Sequence, residues 1–408
     1  MTLSLQRALL KLPQRLIWAL IAWAVTRAIL VSVGLVELPF YPEGVLAFDD
    51  LEVYAAWLPD LSAGITPMDD MWQYPPLAGV FFLAGTVGPA PEIAIMVAIV
   101  LADLALTVVL FRRAPASGWF WIIAGAAVGP VLVARFDVVP TLCAVLAVLA
   151  VAQPRMVGVW AAVGASLKVW PAFTLFIVPR PQAWRAGTTF AVVLVGILAV
   201  MMLLFSGTSG FFGGQGSRGL QIESVFALPF LIAKVFGADV SLTYRYGSME
   251  VDAAGAGVAA GLAVALAVGL MVALAVAWWR GHLAKKAPVD VALTTTLFLV
   301  VTSRVFSPQF VIWILGVGAL CWGVKRAKLR TSTLLVLGSA LLTQFLYPWG
   351  YGSLIAGAWP AVLAQTIRIG LVVAAAILAA REIFRSEPVD AVLPVNEPRQ
   401  EPAKESVN

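Results

Sequence analysis

The 408-residue chain reads as an all-α integral membrane protein, a multi-pass helical bundle with about ten to twelve crossings. Three observations predict this. Hydrophobic residues make up 61% of the chain and charged residues only 12%, with a mean hydropathy of +0.93, which a soluble globular chain of this length does not sustain. Apolar runs of spanning or near-spanning length recur from residue 16 to residue 380. The basic residues fall in short clusters between those runs, so the net charge of +5 fits an excess of cytoplasmic Lys and Arg and is not a nucleic-acid signal.

Each element follows in order. Arg7, Lys11 and Arg15 precede the run 16–36, which reads as an uncleaved first helix with its N-terminus inside. The next stretch is an acidic, aromatic island, FDDLEVYAAWLPDLSAGITPMDDMWQYPPL at 48–77, holding six of the 22 acidic residues. Later runs lie near 76–88, 91–111, 119–133, 137–152, 157–168, 171–179 and 188–205, then near 253–279, 289–303, 308–323, 331–347 and 354–380. Basic clusters at Arg112–Arg113, Arg155, Arg180 with Arg185, Arg280 to Lys286, Lys325 to Arg330, and Arg381 with Arg385 are placed in the cytoplasm. With that alternation the run 76–88 must start and end outside, as a short or re-entrant segment; if it crosses, one of 157–168 and 171–179 does not.

The organisation is then one transmembrane domain over 1–385, with a first outer loop at 37–75 and a second long outer loop at 206–252. Gly213, Gly214 and Gly216 give the second loop either flexibility or a close approach to a ligand. The run 225–236 reads as an interfacial helix. Residues 386–408 are Pro- and Glu-rich and read as a disordered cytoplasmic tail. Both termini are expected inside, and nearly every unusual polar residue falls on the outer face.

Charges within or at the edge of a bilayer cost about 2.5–3.5 kcal/mol each, so their positions are informative. They are Arg27, Asp103, Arg135, Asp137, Lys168 and Arg304, with Arg218 at the Gly-rich loop. An internal ion pair such as Arg27 with Asp103 is one reading. Convergence of Arg135, Lys168, Arg304 and Arg218 on the outer acidic loop is the other, and it describes a site for an anionic substrate with a proton-accepting step. Tyr54, Trp57, Trp72 and Tyr74 offer faces for sugars or headgroups, and equally form an interfacial aromatic belt. Cys143 and Cys321 lie in apolar runs and imply no disulfide framework. The single His282 argues against a His-rich metal site and against a Ser-His-Asp triad.

Seven stretches taken together carry a resemblance. They are DLEVY at 50–54, GITPMDDMWQYPPL at 64–77, RFDVVP at 135–140, GASLKVWP at 164–171, RGLQIES at 218–224, YGS at 246–248 and SRVFSPQFVIWIL at 303–315. In this order they resemble glycosyltransferase family 87, polyprenyl-phosphate-sugar-dependent membrane enzymes of the GT-C superfamily. The resemblance implies a catalytic aspartate in the first outer loop, at Asp50, with the adjacent Asp49 its competitor. It implies donor-phosphate contacts from Arg304, Arg218, Lys168 and Arg135. Arg304 stands where the family more often has Lys. Substrate contacts are implied for Asp70, Tyr54, Trp72, Tyr74, Asp137, Gln221, Glu223 and Gln309.

The activity so implied is inverting transfer of mannose from polyprenol-phosphate-mannose to a glycolipid acceptor, a phosphatidylinositol mannoside or lipoglycan, on the outer face of the cell membrane. Polyprenol-phosphate-arabinose is the alternative donor. No cofactor is required, and a divalent metal stays open. A lipid or sugar transporter is the competing class. It predicts paired repeats and midplane charges, whereas the polar residues here gather on one face.

Overall fold

The computed structural model describes residues 14–36, 47–69, 71–210 and 219–385. The expectations for Asp70, Arg218, the glycines at 213–216 and the tail at 386–408 lie outside the described residues. The chain is 75% helical, as the sequence predicts.

Five helices are long and apolar enough to cross a membrane: α1 (Gln14–Leu35), α5 (Pro91–Arg113), α10 (Arg180–Leu204), α12 (Ala256–Trp279) and α17 (Trp359–Phe384). Shorter helices complete the bundle: α6 (Pro115–Val128), α7 (Val131–Ala134), α8 (Val138–Leu149), α9 (Pro154–Leu167), α13 (Pro288–Val301), α14 (Phe310–Ala319) and α15 (Arg330–Gln344). Proline opens many of them at the first turn, where its missing N–H costs no hydrogen bond: Pro91, Pro115, Pro154 and Pro288 all do so.

Burial sorts the helices by their surroundings. In α14 every residue from Val311 to Ala319 is buried, and α13 is nearly as enclosed, so these two form the axis of the bundle. By contrast α10 and α12 expose large apolar side chains such as Leu203 and Val258, the surface expected of helices facing lipid. Gly158 on α9 leaves room for the backbone at Ala186 and Phe190 of α10, so these helices lie side by side. They are joined by a 3₁₀ return, Trp170–Ile177, which accounts for the apolar run at 171–179.

The two ends of the bundle differ. One end gathers basic residues: Arg326 donates to the Lys285 carbonyl at 3.2 Å, and Lys286 pairs with Glu382 at 3.7 Å. The other end gathers α2 (Asp49–Ala56), α3 (Leu58–Ser62), α11 (Leu228–Val235), α16 (Tyr351–Ile355) and the loops between helices. Helix α4 (Leu77–Phe82) with its 3₁₀ extension Leu83–Thr86 makes a short arm, and Gly85 abuts Leu58 and Ile95. The 3₁₀ extension thus packs back against α3 and the start of α5.

The second long loop contains an element absent from the sequence reading. Residues Ser241–Arg245 (β1) and Ser248–Asp252 (β2) pair as an antiparallel hairpin. Its two-residue turn, Tyr246–Gly247, has φ of 53° and 73°, the positive values a tight hairpin turn demands. The first and second loops also meet: Thr66 N–H donates to the Ser206 carbonyl at 2.9 Å, and Ser206 N–H donates to the Gly64 carbonyl at 2.8 Å.

Inside the bundle Arg27 and Asp103 form a fully buried ion pair, with Nε to Oδ2 at 2.8 Å. Trp23 and Trp121 indoles donate to the same carboxylate at 2.6 and 2.8 Å, so all the charge on Asp103 is met by donors. The packing reading for this pair therefore holds. Arg27→Met is expected to destabilise the protein by about 3–5 kcal/mol, because it strands a buried carboxylate. Thermal unfolding in detergent tests this, and Arg27→Met with Asp103→Leu should recover most of the loss.

Candidate active site

A cavity of about 630 Å3 opens at the end opposite the basic clusters. Its floor begins with α2. Asp49, Asp50 and Glu52 occupy the first turn of this helix, where its partial positive charge favours carboxylates. Asp49 and Asp50 both line the cavity. The Asp50 carboxylate contacts the Arg135 guanidinium directly, which fixes its direction. Asp49 is exposed at the cavity wall; desolvation, then Glu52, push its carboxyl above the ordinary range, while Arg135 pulls it back.

Arg135 follows α7 and precedes α8, at a sharp corner. Besides Asp50 it reaches the Tyr347 hydroxyl at 3.4 Å. Two residues on, Asp137 is fully buried and does not line the cavity. Its Oδ1 accepts from Lys168 Nζ at 2.6 Å and from Trp313 Nε1 at 2.5 Å. Asp137 therefore stands behind Lys168 as an anchor, away from the cavity lining. Lys168 does line the cavity, its ammonium held among the rings of Trp313, Phe136, Tyr74 and Phe310 at 5.0 to 5.7 Å from their centroids.

The opposite wall is made by the strand-like segment before the hairpin and by the loop between α13 and α14. Gln221, Glu223, Arg304, Ser307 and Gln309 come from these two segments and line the cavity. Gln221 N–H donates to the Arg304 carbonyl at 3.0 Å, and Gln221 Oε1 accepts from Phe306 N–H at 2.7 Å, so the segments are stitched together. Burial pushes the Glu223 carboxyl up, and Arg368 and Arg135 draw it back.

Of the expected cations, Arg135, Lys168 and Arg304 thus share one cavity with Asp49 and Asp50. Tyr54 and Tyr74 line it too, their hydroxyls 3.3 Å apart. Trp72 does not. It is buried in a ring cluster with Trp57, Tyr74 and Phe82, with edge-to-face contacts at 5.0 to 6.2 Å. Asp69 holds this corner by accepting from the Trp57 indole at 2.6 Å and from the Met71 and Trp72 backbone at 2.8 Å.

Several cavity residues were not among the expected site residues. Gln73, Trp170, Tyr347 and Tyr351 line it, as do Tyr244 and Tyr246 from the hairpin. Trp170 lies inside GASLKVWP and Gln73 inside MWQYPPL, so the signal was present but unweighted. Among the described residues no group of three or more His, Cys, Asp or Glu converges as a metal cluster.

A charged, aromatic-walled cavity at one end of a multi-pass bundle defines a membrane protein that handles a polar ligand beside the bilayer. The sequence model of glycosyltransferase family 87 matches residues 72–308, more than half of the chain, and the chain belongs to that family: it is a glycosyltransferase. No curated protein and no solved structure matches it.

If Trp72 serves packing alone, Trp72→Phe lowers the thermal midpoint and leaves KM for both substrates within about threefold. A rise of about tenfold in either KM returns Trp72 to substrate contact.

Proposed function

We propose that the protein transfers a mannosyl residue from polyprenol-phosphate-mannose to a glycolipid acceptor, a phosphatidylinositol mannoside or lipoglycan, at the outer face of the membrane. The observation that carries this reading is the meeting of the Asp49–Asp50 pair with Arg135, Lys168 and Arg304 in one cavity. The outer-face orientation is supported by the basic clusters at the other end, since Lys and Arg mark cytoplasmic ends.

Asp50 is the general base in this reading. Its carboxylate takes the proton of the acceptor hydroxyl as that oxygen bonds to the anomeric carbon. The bond from that carbon to the phosphate oxygen breaks on the opposite side, so configuration inverts and polyprenyl phosphate leaves. The donor phosphodiester carries one negative charge, and the departing phosphomonoester gains a second. Lys168 and Arg304 therefore interact more strongly with the transition state than with the ground state, and that difference is catalytic. Arg135 holds Asp50 in place instead of binding the phosphate. The contact fixes the aim of that carboxylate. Asp49, whose carboxyl titrates higher, is the alternative base.

The test uses purified protein in lipid vesicles with polyprenol-phosphate-mannose and a mannosylated phosphatidylinositol acceptor. Asp50→Asn is expected to lower kcat by about 10³-fold or more with folding intact, and Asp49→Asn by about tenfold or less. The reverse order makes Asp49 the base. Transfer only from polyprenol-phosphate-arabinose replaces the mannosyl assignment with the arabinofuranosyl one.

A further inference from the structure

Behind the cavity wall lies a second fully buried ion pair that the transfer step does not use. Arg368 sits mid-way along α17, is 0% exposed, and does not line the cavity. Its Nη1 donates to Glu223 Oε1 at 2.9 Å and to Gln365 Oε1 at 3.1 Å. Its Nε donates to Thr343 Oγ1 at 2.9 Å, and the guanidinium lies 4.4 Å from the centre of the Phe306 ring. Gln365 Nε2 in turn donates to the Glu223 carbonyl at 3.0 Å. The second oxygen of Glu223 accepts from Gln221 Nε2 at 3.1 Å. One guanidinium on the far side of the wall thus braces both segments that present Gln221, Glu223, Arg304, Ser307 and Gln309.

Charge makes this bracing more than packing. Glu223 lines the same cavity as Arg304 and Lys168. An uncompensated carboxylate there would repel a phosphate directly, and in a low-dielectric wall that repulsion is weakly screened. We propose that Arg368 is a positioning residue for the lipid-phosphate donor, acting through Glu223. It cancels the Glu223 charge and locks the Glu223–Gln221–Phe306 chain, so that Arg304 meets the phosphate on a wall without net negative charge. The inference rests on the donor being a polyprenyl phosphodiester.

A double-mutant cycle tests it on the full-length protein in vesicles. Arg368→Met is expected to raise donor KM by about tenfold or more, with kcat and acceptor KM moving less than about threefold. In a Glu223→Gln background the same substitution is expected to raise donor KM by less than about threefold, because no charge is left to expose. Polyprenyl phosphate binding, read by intrinsic tryptophan fluorescence in the same four proteins, should follow the same pattern. Equal losses in both backgrounds, or a loss shared between donor and acceptor, overturn the proposal and make Arg368 a packing residue. Wild-type protein that fails to bind polyprenyl phosphate overturns the donor reading itself. Where Arg368→Met does not fold, Arg368→Gln in the two backgrounds gives the same comparison.

Discussion

Everything in this fold depends on how charge is tolerated inside an apolar bundle. A lone charge buried there is costly, and among the described residues several are met by an opposite charge. Arg27 meets Asp103, Lys168 meets Asp137, Arg135 meets Asp50 and Arg368 meets Glu223. The first pair lies deep between α1, α5 and α6 and serves packing. The other three surround one cavity, and in each an acid and a base come from segments far apart in the chain. The pairs therefore do two things at once: they make burial tolerable, and they fix the positions of Asp50, Arg135, Lys168 and Glu223 at the cavity.

That arrangement explains why the charged cavity sits at one end. The axial helices α13 and α14 carry no charge over most of their length, and their loop, 302–309, emerges at the cavity with Arg304, Ser307 and Gln309. The corner between α7 and α8 delivers Arg135 to Asp50 and Asp137 to Lys168. The end of α9 delivers Lys168, and the hairpin with its preceding segment closes the wall. In the proposed transfer this combination supplies a base for the acceptor, cations for the departing phosphate, and rings that shape a pocket for sugar.

Much of this was legible in the sequence, for identifiable reasons. Hydropathy marks the long helices because the bilayer sets a length that composition reveals. The first-turn acids of α2, the RFD corner and Lys168 stood out because charge beside long apolar runs is rare. What could not be read was direction. Asp137 and Trp72 were expected to face substrate, yet Asp137 points behind Lys168 and Trp72 packs into a ring cluster, and spacing does not say which way a side chain turns. Arg368 stands alone in an apolar run, yet it was not among the charges singled out from the sequence. Its partner Glu223 lies 145 residues away, and no local pattern pairs them. The Tyr246–Gly247 turn flanked by alternating residues was a hairpin signal that the surrounding Gly-rich loop obscured.

The central claim is that the Asp49–Asp50 cavity receives the lipid-linked phosphate. The most direct measurement is an electron cryo-microscopy structure of the protein in lipid with polyprenyl phosphate bound. The account predicts phosphate density within hydrogen-bonding reach of Arg304 and Lys168, with the open space beside Asp50 left for the acceptor hydroxyl. Phosphate density at the basic end of the bundle, with the cavity empty, overturns it.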